Sequence, residues 1–213
     1  MIPKLHYISQ GNSPKEHVDN IQKACSSGAE LVLLNLKGIS EKKHLKLATS
    51  AREITGYFQT RLMINEDVSI AKKVKADGVY LGGTGTCPTE ARKDLLSWQI
   101  IGATANTLKD CQVLLKKEVD YISLGPFRRT ENDDKESPVL GLDGFTVISE
   151  GLDTETPIIG FGAITTGDVK DILATGIVGI AVADAITKDF DTISKFNLLL
   201  DASSTAEQKY TIK

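Results

Sequence analysis

The chain lacks any apolar run of about eighteen residues, so it offers no candidate membrane-spanning helix. Its opening residues, Met1-Ile2-Pro3-Lys4-Leu5-His6-Tyr7, lack the apolar core and cleavage site of a signal peptide and read as a first strand; a cytoplasmic protein is the expectation. Cysteine is scarce. Cys25, Cys87 and Cys111 are odd in number and far apart, which argues against a disulfide framework or a zinc site. Cys25 and Cys111 fall in helix-like segments as buried apolar residues, whereas Cys87 precedes Pro88 at a helix start, where a thiol is easier to ionise but has no histidine partner. An excess of one charge is missing too. The net charge of −3 gives no reason to expect nucleic acid or an acidic membrane surface as a partner. No Gly-rich dinucleotide fingerprint follows the first strand, where Ser9-Gln10-Gly11-Asn12 stands instead.

What remains is a chain of 213 residues, 41% hydrophobic, long enough for one domain with a substantial core. Short β-rich runs alternate with longer amphipathic ones. Strands are expected at 4–9, 31–35, 61–65, 78–81, 99–103, 121–124 and near Ile158 and Ile180. Helices are expected at 14–27, 40–55, 68–74, 89–96, 108–117, 142–150, 168–174 and 189–200. Ser13 with Pro14 marks one helix start, and Asp67 is placed to cap another. Eight strand–helix units that consume the whole chain indicate a single-domain α/β fold, a (β/α)8 TIM barrel over residues 1–200, rather than a doubly wound sheet. Residues 201–213 form a polar tail. The segments Ala76-Asp77-Gly78-Val79-Tyr80-Leu81-Gly82 and Val119-Asp120-Tyr121-Ile122-Ser123-Leu124-Gly125 are similar in form, as a repeated βα unit would be; Gly176 to Val182 is a looser third case.

The stretch from Pro157 to Ile186 organises the functional reading. Two apolar runs each end in small residues, Gly162-Ala163 and Ala183-Asp184, with a helix-like segment between. Small residues let backbone N–H groups approach a ligand, and a following helix N-terminus favours an anion. Two such ends side by side suit the phosphate site of the last two strands of a barrel, with Asp184 turned away from the anion. Other strand ends carry Lys37, Asn65, Glu66, Thr104 and Asn106, and no histidine. This inventory suits a phosphate and a polar heterocycle better than a metal cage. Lys37 reads equally as a surface lysine. Asn65, polar at the end of a buried strand, calls for a specific partner. The loop from Phe127 to Leu140 is the longest gap between elements and is either a candidate lid or a solvated loop.

Five segments together resemble the thiamine-phosphate synthase and TenI superfamily. They are Gly28-Ala29-Glu30 with Lys37-Gly38, Ile64-Asn65-Glu66-Asp67-Val68, Ala76 to Gly82, Asp120 to Phe127, and Pro157 to Ile164. The resemblance implies a (β/α)8 barrel. It implies one of two activities: coupling a hydroxymethylpyrimidine diphosphate to a thiazole phosphate with Mg2+ and release of pyrophosphate, or tautomerisation of a thiazole carboxylate phosphate. It assigns catalysis to Lys37, Asn65, Glu66 and Thr104. It assigns substrate phosphates to Thr130, Asn132, Lys135, Gly162, Ala163, Ala183 and Asp184, and Mg2+, needed only with a diphosphate, to Glu66. The chain departs from the synthase pattern. Leu33 and Asn35 replace a glutamine and an arginine, Glu66 and Gly85 replace two aspartates, and Asp133 replaces a loop lysine, for which Lys135, Arg128 and Arg129 are the candidate substitutes. Asn106 stands where the TenI branch has its histidine. Three readings follow: a synthase with a rebuilt and slow diphosphate site, a TenI-like enzyme on another small phosphate, and a phosphate-binding barrel without chemistry. All take a small phosphorylated heterocycle as partner, and all leave room for a homo-oligomer.

Overall fold

The computed structural model describes residues 1–82, 85–129 and 138–201. The strands are β1 (Leu5–Ile8), β2 (Leu31–Leu34), β3 (Arg61–Asn65), β4 (Gly78–Leu81), β5 (Ile100–Ala105), β6 (Tyr121–Leu124), β7 (Ile158–Phe161) and β8 (Gly179–Val182). They close in chain order into a barrel, β1 pairing in parallel with both β2 and β8. The helices are α1 (Pro14–Ser26), α2 (Glu41–Phe58), α3 (Val68–Lys73), α4 (Pro88–Asp94), α5 (Leu108–Leu115), α6 (Gly141–Glu150), α7 (Val169–Ala174), α8 (Asp184–Lys188) and α9 (Thr192–Leu199). Among the described residues no helix is long and apolar enough to cross a membrane.

The strand sequences explain the closure. All four residues of β2, Leu-Val-Leu-Leu, are buried, because alternate side chains face the barrel interior and the helical layer and both sides are dry. Two cores result. Leu31, Leu33, Met63, Tyr121, Ile159 and Ala181 pack inside the barrel, and the larger cluster fills the space between sheet and helices. The inner core is tight enough to require Gly102, since a side chain there would occupy the ring of Tyr121. Local signals set the helix starts. Ser13, Asp67 and Thr107 accept the N–H groups of Glu16, Ile70 and Asp110.

Two expectations need correction. The fifth strand runs on to Ala105, so Thr104 lies within the barrel wall rather than after it. Its inward neighbour Tyr80 bonds to it, and pairing with β6 continues through Ala105. The expected last helix at 189–200 is preceded by a separate short one, α8. The backbone turns extended at Asp189 between them (φ −153°, ψ 100°), and Asp184 is the first residue of α8.

Candidate active site

Alternation along the strands decides what lines the carboxyl-end mouth. Leu33, Met63, Tyr121, Ile159 and Ala181 face inward, and two residues further on the same side stand Asn35, Asn65, Ser123, Phe161 and Ala183. Between the third and sixth strands the wall is polar. The Tyr80 hydroxyl lies 2.7 Å from Thr104 Oγ1, and Ser123 is a second partner of the same phenol, whose pKa burial pushes up. Asn65 is buried, and its Nδ2 has no hydrogen-bond partner among the described residues.

The turn after β3 is shaped by three residues with different duties. Glu66 takes a left-handed conformation (φ 63°), and its N–H donates to the Tyr80 carbonyl at 2.8 Å. That turn sends its carboxylate across to β4, where Oε1 accepts from the Gly82 N–H at 2.7 Å. Its Oε2 lies in the space that a side chain on residue 85 would need, so Gly85 is what gives Glu66 room. Asp67 caps α3 through Oδ1, with Ile70 N at 2.8 Å, and holds Oδ2 3.5 Å from His44 Nδ1. Burial lowers the His44 pKa while Asp67 opposes it, and His44 Nε2 has no hydrogen-bond partner among the described residues. A neutral ring that offers Nδ1–H to Asp67 has its bare nitrogen at Nε2.

Above this turn lies a cavity of about 910 Å3 over the ends of β2 and β3, with Lys37, His44, Asn65, Glu66 and Lys72 in its walls. Lys37 is exposed. Val68, Ser69 and Lys72 of α3 line the cavity, Lys72 standing one turn beyond the other two, four residues from Val68 and three from Ser69, while Lys73 is held by Glu41 at 2.7 Å.

Across the mouth, the ends of β7 and β8 carry the small residues. Gly162 (φ 111°) and Ala163 (φ 45°) are both left-handed. A side chain at Gly162 would strike Pro126 and the Phe127 N–H, because the chain after β6 lies against this turn, with Phe127 N donating to Phe161 O at 2.6 Å. Asp184 points its carboxylate to Lys188, 2.6 Å away along α8.

The structure therefore gathers Lys37, Asn65 and Glu66 at one cavity. It sets Thr104 in the wall beside them, and places Gly162, Ala163, Ala183 and Asp184 on the opposite rim. Asn106 turns away to donate to the Gly125 carbonyl at 2.6 Å. Thr130, Asn132 and Lys135, and the departure at Asp133, lie outside the described residues. Among the described residues no group of three or more His, Cys, Asp or Glu side chains could hold a metal ion. His44, Lys72 and Tyr80 escaped the sequence reading. Tyr80 was legible from alternation in β4, and Lys72 from helical spacing after the Asp67 cap. His44 enters from the first turn of α2, and no local signal marks it.

The chain matches the family described as thiamine monophosphate synthase over residues 5–186. It is 39% identical over 191 residues to a thiamine-phosphate synthase of Flavobacterium johnsoniae, covering 88% of this chain and 90% of the relative. A thiamine-phosphate synthase of Bacteroides fragilis is 30% identical over 200 residues, covering 92% and 98%. The thiamine phosphate pyrophosphorylase of Pyrococcus furiosus superposes with a TM-score of 0.81 at 24% identity, covering 93% of this chain and 95% of the other, which speaks for the barrel itself. Similarity that runs the length of the barrel and takes in both rims of its mouth makes this chain a member of the thiamine monophosphate synthase family.

Proposed function

We propose that the protein is a thiamine-phosphate synthase: it joins a thiazole phosphate to a hydroxymethylpyrimidine diphosphate and releases pyrophosphate. The observation that carries this reading is the division of the mouth. A backbone turn suited to one phosphate stands on the β7–β8 rim. A cavity lined by two lysines, Lys37 and Lys72, and three carboxylates, Glu66, Asp67 and Asp94, stands on the β2–β3 rim, and the polar wall of Tyr80, Thr104 and Ser123 lies between the two rims. That is the layout two phosphorylated rings would need to meet over the barrel axis.

In this reading the bond between the pyrimidine methylene carbon and the diphosphate oxygen breaks, and its electron pair leaves with pyrophosphate. The thiazole nitrogen donates its lone pair to that carbon, and the new C–N bond leaves the thiazole ring cationic, so no proton has to move. Asn65 Nδ2, buried and unpartnered, is the donor placed to meet a substrate acceptor. Lys37 meets the departing diphosphate. A Mg2+ ion suits the residues present, because Glu66 reaches the space left by Gly85, and Mg2+ is commonly held by one or two carboxylates with substrate phosphates. Bound there with the diphosphate, it would neutralise leaving-group charge. With one carboxylate, and with Asn35 where the family carries an arginine, binding of Mg2+ without substrate is expected to be weak and turnover slow.

The test is formation of thiamine phosphate and pyrophosphate in equal amounts from both substrates with Mg2+. Product that depends on Mg2+ supports the proposal. If the protein binds thiazole phosphate yet forms no product at high enzyme concentration, the proposal fails and a binding barrel remains.

A further inference from the structure

We propose that Arg128 and Asp168 form a latch that holds the Gly162-Ala163 turn in the shape that receives the thiazole phosphate, which makes both of them positioning residues for one substrate and not the other. The inference rests on the synthase reading and adds residues to it that the strand ends do not contain.

The latch is two-pronged. Arg128 Nη1 donates to Asp168 Oδ2 at 2.8 Å, and Nη2 donates to Asp168 Oδ1 at 2.5 Å. The guanidinium also rests over the Phe127 ring, 4.5 Å from its centre. The Asp168 side chain is 13% exposed and accepts as well from Thr165 N at 2.9 Å and Thr165 Oγ1 at 2.7 Å. The Arg128 hydrogen bond comes first among the causes that hold the Asp168 carboxyl down at about 2, so the pair stays charged at any working pH.

Its effect on the turn follows from peptide geometry. Arg128 takes hold of two successive carbonyls: its backbone N–H donates to Gly162 O at 3.1 Å, and its Nη1 reaches Ala163 O at 3.3 Å. In a trans peptide the N–H points opposite to the carbonyl of the same unit. Both carbonyls are drawn to one side by Arg128, so the N–H groups of Ala163 and Ile164 are sent to the other. Successive N–H groups facing one way from a left-handed turn form an anion-binding concavity. Ala163 sits at φ 45°, a left-handed conformation that is unfavourable for a non-glycine residue, so contacts outside the turn must hold it there.

The experiment measures thiazole phosphate binding by calorimetry and the KM of each substrate, for the wild type, Arg128→Ala, Asp168→Ala, the double variant and Arg128→Lys. The expected result is a rise of about ten-fold in Kd and KM for thiazole phosphate in each alanine variant. The KM for pyrimidine diphosphate should stay within about two-fold, and the double variant should be no worse than either single one, as for two halves of one device. Arg128→Lys keeps the charge but loses the fork, and should fall between wild type and Arg128→Ala. It also serves as the reporter if the alanine variants do not fold. Thiazole phosphate affinity unchanged in the variants overturns the latch and leaves the synthase reading standing. Equal weakening of both substrates overturns it as well, since that is what general loss of structure gives. A wild type that does not bind thiazole phosphate overturns the latch and the synthase reading together.

Discussion

The two ends of the barrel treat their polar groups in opposite ways. At the amino end, Asp77 at the entry to β4 accepts the Leu62 N–H of β3 at 2.8 Å and Arg52 Nη1 of α2 at 2.7 Å, both on Oδ2. Asp120 at the entry to β6 repeats the pattern: Oδ2 accepts the Ile101 N–H of β5 at 2.7 Å and Arg92 Nη2 of α4 at 2.6 Å. Nearby, Gln99 Nε2 donates to the carbonyls of Ala71 and Ala76, and His6 Nε2 lies 2.9 Å from the Pro3 carbonyl. The protein answers these groups itself, and the one exception at this end among the described residues is Ser149 Oγ at the close of α6, buried without a hydrogen-bond partner. At the carboxyl end, Asn65 Nδ2 and His44 Nε2 are buried and unanswered, and Lys37 stands exposed beside them. The similar segments around Asp77 and Asp120 are thus a scaffold device used twice. Asn65 and His44 have no such answer among the described residues, and they line the cavity to which the proposed function assigns a substrate.

The sharpest way to break this contrast is Lys37→Ala. If the carboxyl end is the working end, losing its exposed lysine removes a donor to the departing diphosphate. Such losses cost about a hundred- to a thousand-fold in rate. The melting temperature should not move, because Lys37 is exposed. Turnover in an assay of both substrates that stays within about two-fold of wild type would show that the leaving group does not rely on Lys37.

The next effect belongs to the amino end. Burial holds the His6 pKa at about 4, below its ordinary value of 6.5. Below pH 6.5 the unfolded chain takes up a proton that the folded chain refuses, so stability is lost as the pH falls from about 6.5 to about 4 and the loss levels off below that. The size at this one site is about 3 kcal/mol. Denaturant melts of the wild type and His6→Gln over that window should differ in slope, with the variant flatter. Parallel curves would mean that His6 protonates in the folded state without cost.

How far the sequence foretold all this varies with the range of the interaction. Four-residue apolar runs and the Ser13 and Asp67 caps are local, and the eight-fold alternation was legible from them. The early end assigned to the fifth strand has a non-local cause: Thr104 and Ala105 remain in the wall because β6 pairs with them and Tyr80 bonds to Thr104. Lys37, Asn65 and Glu66 were visible because they end or follow strands. The partnership of Glu66 with Gly85 was not, since only the folded chain brings a long carboxylate into the space of an absent side chain. Likewise Arg128 and Asp168 are 40 residues apart, and nothing in either local sequence announces the other.

The smallest expected effect tests the scaffold half directly, through Asp120→Ala. This change removes the acceptor of the Ile101 N–H and leaves Arg92 with the Gln99 carbonyl, to which its Nη1 already donates at 2.6 Å. Ile101 is 1% exposed, so water has little access to the N–H left behind. An unanswered buried donor costs about 1–3 kcal/mol. The Arg92 pair itself adds little, with its partners 35% and 40% exposed. Asp77→Ala should cost a similar amount through the Leu62 N–H, because the geometry is the same two strands earlier. The two sites share no partner, so the double variant should show the sum of the two losses. Neither change should alter the KM of either substrate, since both lie at the far end of the barrel from the mouth. Chemical denaturation gives the stabilities and steady-state kinetics the rest. A KM that rose in Asp120→Ala while stability held would mean that the amino end takes part in binding, and the contrast between the two ends would have to be given up.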